Sequence, residues 1–259
     1  MKKSSLIAIA IFIPSLLLFS SCSDSDMPKA SDEILFNEVQ DEVYSTTIEE
    51  EAFNIAEQAV NTFRASGLSK TGNTEPIVNR KSESNNFPID YELDFGNRYV
   101  DKKGNVYKGI INLTLISKNE TELEFDKFFI NDNPLDGNKK LNLLANGILS
   151  IVSDVKLTNK KTNQTKYRYT EQQRTVLVKN NSDNLNSVES YSITGFSVGN
   201  IYRNGKEFEY NFNIEQPLVF VSGSKSYIKG ITIIRIGSST QYVNYGVGEK
   251  EKIATWLFR

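Results

Sequence analysis

Three short segments of this chain carry residue types that could do chemistry, and one missing residue type decides most of what they can do. Gly195-Phe-Ser197-Val-Gly199 has the G-x-S-x-G spacing of a nucleophile elbow, and Ser222-Gly-Ser-Lys225 has the S-x-x-K spacing of another serine nucleophile. An elbow requires a strand-to-helix turn and a histidine base. The chain has no histidine among its 259 residues, and Ser197 lies among Ile193, Phe196 and Val198, ahead of a hairpin signal. Ser222 to Lys225 has the composition of a Gly/Ser turn between strands, not of a helix. Asp132-Asn-Pro-Leu-Asp136-Gly137 approaches the spacing of a calcium loop. Pro134 occupies a ligand position there and no bidentate Glu follows at the right distance, so the segment reads as a hairpin. Without histidine the usual imidazole ligands of zinc and copper are missing as well. No catalytic residue, metal or cofactor is expected. A carboxylate-dependent hydrolase acting on envelope or host glycans stays open as the alternative, because a glycosidase needs only two acidic groups at the right separation.

The one residue with a definite chemical role is Cys22, the sole cysteine. It follows Lys2 and Lys3, an apolar run from Leu6 to Phe19, and Ser20-Ser21. That order is the layout of a secretory signal. The run is shorter than the roughly 20 residues a spanning helix needs, and Pro14 interrupts it. A lone cysteine at the end of such a signal resembles the lipobox of bacterial lipoproteins. The resemblance implies acylation of Cys22, removal of residues 1–21 and attachment to a membrane through acyl chains, of which two or more give stable anchoring. Ser23-Asp24-Ser25-Asp26 follows directly. An acidic stretch there resembles the surface-export signal of Bacteroidetes lipoproteins, with Asp24 and Asp26 as its charges. An outer-membrane address is expected, at the cell surface in preference to the periplasmic face.

Composition narrows the partners. Loss of Lys2 and Lys3 from 30 basic residues leaves 28 against 32 acidic ones. A slightly acidic chain without a basic cluster argues against nucleic acid. The apolar content is 39%, low for a globular chain and suited to a β-rich protein with one solvated sheet face.

The elements that must position any site follow from periodicity. Leu35, Phe36, Val39 and Val43 recur at helical spacing, and after Ser45-Thr46-Thr47 a second stripe runs through Ile48, Ala52, Ile55, Ala56, Ala59, Val60 and Phe63. Thr47 followed by Glu50 fits a capping box, and Glu49, Glu50 and Glu51 read as the solvated first turn. Two amphipathic helices are expected, over 32–44 and 48–65. From Phe87 onward strand follows strand. Tyr91, Leu93 and Phe95 alternate with polar residues, as do Ile111, Leu113 and Leu115, and Phe208, Tyr210, Phe212 and Ile214. Asn204-Gly205 signals a type I′ hairpin; Lys103-Gly-Asn105, Asn131-Asp-Asn133 and Asn159 to Gln164 are further connections. Without helical crossovers the pairing must be antiparallel. The fold expected is mainly β with an N-terminal helical segment: a long antiparallel meander, curved or folded into a sandwich, covered by two amphipathic helices. Its divisions are signal 1–21, acidic tether 22–31, helical segment 32–66, linker 67–86 with a short strand possible at Ile77-Val78, and β domain 87–259.

Two ends of the β region carry a resemblance. Tyr91-Glu-Leu-Asp-Phe-Gly96, Asp101-Lys-Lys-Gly104 and Lys108-Gly109-Ile-Ile-Asn-Leu-Thr114 stand near its start; Val243-Asn-Tyr-Gly246-Val-Gly248 and Ile253-Ala-Thr-Trp256 stand near its end. Together they resemble uncharacterised outer-membrane lipoproteins of the Bacteroidetes, over most of residues 75–259. The two cysteines such proteins carry near these ends are replaced here by Tyr99 and Lys250, so the disulfide the resemblance would imply is absent. It implies no site residues. The glycines and Asp94 have local explanations in turns and bulges.

The remaining clue is aromatic: 15 Phe, 12 Tyr and one Trp. Tyr99, Tyr202, Tyr242 and Tyr245 stand near strand ends, where tyrosine can stack on sugars or anchor an interface; paving of a half-buried sheet is the plainer account. The function expected is that of a non-enzymatic, lipid-anchored cell-envelope protein, a binding or assembly module for a glycan, protein or lipid.

Overall fold

The computed structural model describes residues 30–66, 76–179, 188–221, 227–247 and 255–257. Among the described residues are one helix and one antiparallel sheet. Helix α1 spans Ala30–Ser66. The strands are β1 Ile77–Arg80, β2 Ile89–Asp94, β3 Tyr99–Val100, β4 Val106–Leu115, β5 Glu120–Ile130, β6 Asn133–Leu143 and β7 Ile148–Asn159. They continue as β8 Gln164–Lys179, β9 Val188–Arg203, β10 Lys206–Val221, β11 Lys229–Ile236, β12 Ser239–Val247 and β13 Thr255–Leu257. Each strand pairs with its neighbours in sequence, except that β2 pairs with β4 and the two-residue β3 sits beside β4. The meander is a single sheet, not a sandwich of two. Its β1 falls within the segment expected to be a linker.

The hairpin chemistry acts as the sequence suggests. Asn204 and Gly205 both have positive φ, 51° and 72°, as a type I′ turn requires. Asn131 and Asp132 do the same between β5 and β6, at 51° and 66°. The long strands are bent by bulges, with register shifts between Lys108 and Ile110, between Phe125 and Phe128, and within β10 between Asn213 and Leu218. Such shifts kink the bulged strand and increase its twist.

The two expected helices are one. Ser45-Thr46-Thr47 does not interrupt α1, because the hydroxyls find partners inside it. Ser45 Oγ donates to the Asp41 carbonyl at 2.7 Å, and Thr47 Oγ1 to the Val43 carbonyl at 2.8 Å. This back-bonding to the preceding turn lets Ser and Thr sit mid-helix. Thr47 is therefore no cap.

The helix lies across the strands on the sheet's inner face. Its C-terminal half packs Ile48, Ala52, Ile55, Ala56, Ala59 and Val60 with Val78, Leu93, Ile111, Leu123 and Ile151 in one apolar core reaching from β1 to β7. A second apolar cluster joins β9 to β12 through Ile193, Tyr210, Phe212, Ile234 and Val243, with Val43 against it. Between the two lies β8, whose inward positions are Gln164, Lys166, Arg168, Thr170, Gln172 and Arg174, all buried. The outward positions of β8 are Tyr167, Tyr169, Glu171 and Gln173. The usual sense of an amphipathic strand is inverted there. Among the described residues no helix is long and apolar enough to cross a membrane.

Candidate functional site

The inverted strand exists because α1 brings acids to it. Glu42, Ser45, Glu49, Ala52 and Ala56 fall at three-, four- and seven-residue spacing, so one stripe of the helix is acidic at its N-terminal end and small at its C-terminal end. Glu42 is 1% exposed and Glu49 3%. Arg168 bridges them: Nε and Nη2 donate to Glu42 Oε1 at 3.0 and 2.7 Å, and Nη1 donates to Glu49 Oε1. Its Nη2 also donates to Thr46 Oγ1 at 3.0 Å. Tyr210 OH and Lys166 Nζ reach Glu42 Oε2, the latter at 3.5 Å, and Ser153 Oγ reaches Glu49 Oε2 at 3.0 Å. Glu50 takes a bidentate fork from Arg174, at 2.6 and 2.7 Å, and a third bond from Lys139 Nζ at 2.8 Å. Lys139 itself is 1% exposed.

The protonation states follow. Burial alone would raise the Glu42 carboxyl, but Arg168 and Lys166 outweigh it and hold it below its usual range. Glu50 is likewise pushed up by burial and pulled well down by Arg174 and Lys139. Burial would discharge Arg168, yet Glu42 and Glu49 keep it firmly protonated. Glu42, Glu50 and Arg168 are thus held in their charged forms, and breaking a buried pair on one side only is costly.

Beside the Glu50–Arg174 fork opens a cavity of about 390 Å³ between α1 and the sheet. Its walls include Val43 and Phe53 of the helix, Leu141, Leu143 and Leu149 of β6 and β7, Val176 of β8, and Tyr191, Phe220 and Tyr227. Arg174 lies 5.1 Å from the Tyr191 ring centre, and Tyr191 stacks on Phe220 at 5.2 Å. Burial pushes the Tyr191 phenol up to about 12, so it stays a donor at neutral pH. The volume falls within the usual range for small-molecule sites, roughly 300–1,000 Å³. At the rim Glu51 accepts from Lys103 Nζ, Asn105 Nδ2 and Tyr107 OH at 3.2, 3.1 and 3.3 Å. A second cavity of about 290 Å³ continues toward Phe87 and Leu115 and shares Phe53, Leu141, Leu143 and Leu149 with the first.

The residues singled out in the sequence lie elsewhere. Cys22, Asp24 and Asp26, together with Ser222 to Lys225, fall outside the described residues. Tyr245 is buried at 1% exposure, edge-on to Tyr227, and Tyr99 packs against Phe95 and Tyr107. Tyr242 is half-buried. Tyr99 and Tyr245 pave the sheet. Tyr202 alone of the four is exposed, on the outer face, edge-on to Tyr167 at 5.4 Å and donating to Glu207 at 2.5 Å. Ser197 is fully buried mid-strand and shares a hydrogen bond of 3.0 Å with Thr170. Its flanking glycines belong to the sheet: Gly195 has φ of 122°, and a Cβ would meet the Glu171 carbonyl oxygen at 2.1 Å, while at Gly199 it would meet that of Tyr167 at 1.8 Å. Asp94 does accept from the Gly96 amide at 2.7 Å, as its turn suggests. Asp132 lies in the β5–β6 hairpin and pairs with Lys108.

Sequence reasoning does not single out Glu42, Glu49, Glu50, Lys139, Arg168 and Arg174 as a site. One signal is present: neither parity of residues 164–174 is apolar. Comparison of the chain with protein-family models, with curated proteins and with solved structures returns no match.

Proposed function

We propose that this is a lipid-anchored cell-envelope protein that works by binding, with its ligand site in the cavity between α1 and strands β6–β10. The observation that carries the reading is the cavity itself: about 390 Å³, walled by apolar and aromatic side chains, with the Arg174–Glu50 and Lys103–Glu51 pairs in its lining. The lipobox-like setting of Cys22 and the acidic stretch after it support an outer-membrane address facing outward, and the motifs that resemble those of Bacteroidetes lipoproteins support the same class.

The binding reading is favoured over hydrolysis by the state of the carboxylates. A glycosidase needs one carboxyl held protonated as general acid. Glu50 is held ionised by Arg174 and Lys139, and the Glu51 carboxylate is occupied by three donors. Among the described residues, the carboxyl raised above its usual range is Asp41. Burial lifts it beside a pocket of about 10 Å³, too small for a sugar.

Two measurements test this. Nile red, an uncharged apolar dye, is expected to bind the full chain saturably, and Leu143→Trp, which fills the junction of the two cavities, to abolish the signal. Binding that ignores Leu143→Trp would remove the cavity from consideration. For the address, protease applied to intact cells is expected to digest the protein, and Cys22→Ser to release it from the membrane fraction. Protection of the chain in intact cells would reject the outward orientation.

A further inference from the structure

We propose that the cavity takes a single-chain amphiphile with an anionic head, the head against Arg174 and the hydrocarbon along Phe53, Leu141, Leu143 and Leu149. The proposal rests on the cavity being the ligand site and adds the class of ligand.

Three observations carry it. The first is shape. The two cavities share four apolar residues, and a chain passing from one into the other would follow a trough from Arg174 and Tyr227 to Phe87 and Leu115. An elongated apolar body fits such a trough better than a compact one. The second is an unmet donor. Arg174 is 8% exposed, and its two Nη atoms hold Glu50, but its Nε is buried with no hydrogen-bond partner among the described residues. Buried donors are ordinarily satisfied, and the missing acceptor would be an oxygen of the ligand. The third is charge. The ion-pair network that joins α1 to β6 and β8 sets four cations, Lys139, Lys166, Arg168 and Arg174, against three carboxylates, Glu42, Glu49 and Glu50. Asp41 adds a fourth carboxylate near Lys166. At the cavity end of the network two cations, Arg174 and Lys139, converge on the single carboxylate of Glu50, and this favours an anion over a neutral head. Tyr191 and Tyr227 line the same end and bring two phenols to it. A carboxylate and a phosphate ester share this chemistry, and a fatty acid or a lysophospholipid could each supply it.

The test uses the full chain, kept below the micelle threshold of any detergent, with cis-parinaric acid as the fluorescent probe. Palmitate is expected to displace the probe at a concentration about tenfold or more below that needed for hexadecanol, the margin of a charge-assisted hydrogen bond. Hexadecyl phosphate, run in parallel, tells which acidic head is preferred. Arg174→Met should bring the acid-to-alcohol ratio close to one while Nile red still binds, which shows the variant folded. Equal displacement by palmitate and hexadecanol, or a ratio that survives Arg174→Met, overturns the anionic head while leaving the cavity as a site. Failure of both cis-parinaric acid and Nile red to bind overturns this proposal and the ligand-site reading together.

Discussion

The two halves of α1 dock on the same face of the same sheet by opposite means. The C-terminal half buries Ala52, Ile55, Ala56, Ala59 and Val60 among aliphatic and aromatic side chains. The N-terminal half buries Glu42 and Glu49 among Arg168, Lys166, Tyr210 and Ser153. An apolar contact is non-directional and tolerates a small slide, whereas a bidentate or bridging guanidinium fixes both distance and angle. The ionic half therefore sets the register of the helix on the sheet, and the apolar half supplies the buried area. The candidate cavity opens next to the ionic half, where geometry is held most tightly.

The contrast can be broken at its strongest point first. Arg168→Met leaves two buried carboxylates without their shared cation, and a loss of about 3–5 kcal/mol is expected in urea unfolding. A loss below about 1 kcal/mol would show that the ion pairs do not hold the helix. Ala56→Leu probes the other half. Ala56 is fully buried, and overpacking should cost about 1–3 kcal/mol; an unchanged midpoint would reveal slack between helix and sheet.

A smaller effect separates the halves by pH. Glu42 and Glu50 have folded values below the reference of 4.5. Their contribution is complete above that reference and is lost as pH falls from it through the folded values. Asp41, raised above its reference of 3.8, works the other way, so the net slope is the carboxylate pair's less that of Asp41. Unfolding free energy should decline between about pH 5 and 3. The scale is about 1.4 kcal/mol for each tenfold difference in proton affinity between the folded and unfolded chain. The decline should be shallower in Arg168→Met. Equal slopes in the two proteins would assign the acid response to other groups. Smallest of all, Tyr202→Ala on the outer face should change stability by no more than about 0.5 kcal/mol. A larger loss would mean that the Tyr202–Tyr167 pair is structural.

The apolar half of this comparison is legible in the sequence and the ionic half is not. Ile48, Ala52, Ile55, Ala56, Ala59 and Val60 fall on one stripe, and the structure buries all six. The meander is legible because hairpin residues such as Asn204-Gly205 are local signals with local causes. Glu49 and Glu50 read as a solvated first turn, because periodicity reports which residues share a face but not what that face meets. The cations that bury them stand about 90 to 125 positions away, at Lys139, Arg168 and Arg174. Ser45-Thr46-Thr47 has the composition of a helix boundary because these residues favour caps; here their hydroxyls bond back within α1. Tyr245 reads as available because it stands near a strand end, yet it points into the second core cluster.

The order of synthesis gives the acidic stripe another consequence. The sheet can grow hairpin by hairpin, since each strand meets a neighbour in sequence. The helix emerges before any strand, and its bonds to Arg168 and Tyr210 span 126 and 168 residues. Until β8 and β10 are made, the N-terminal half of α1 must wait with its inward face uncovered. A wholly apolar stripe would wait as an adhesive surface; carboxylates at Glu42, Glu49 and Glu50 keep the waiting helix hydrated, and the late arrival of the β8 cations converts that hydration into attachment.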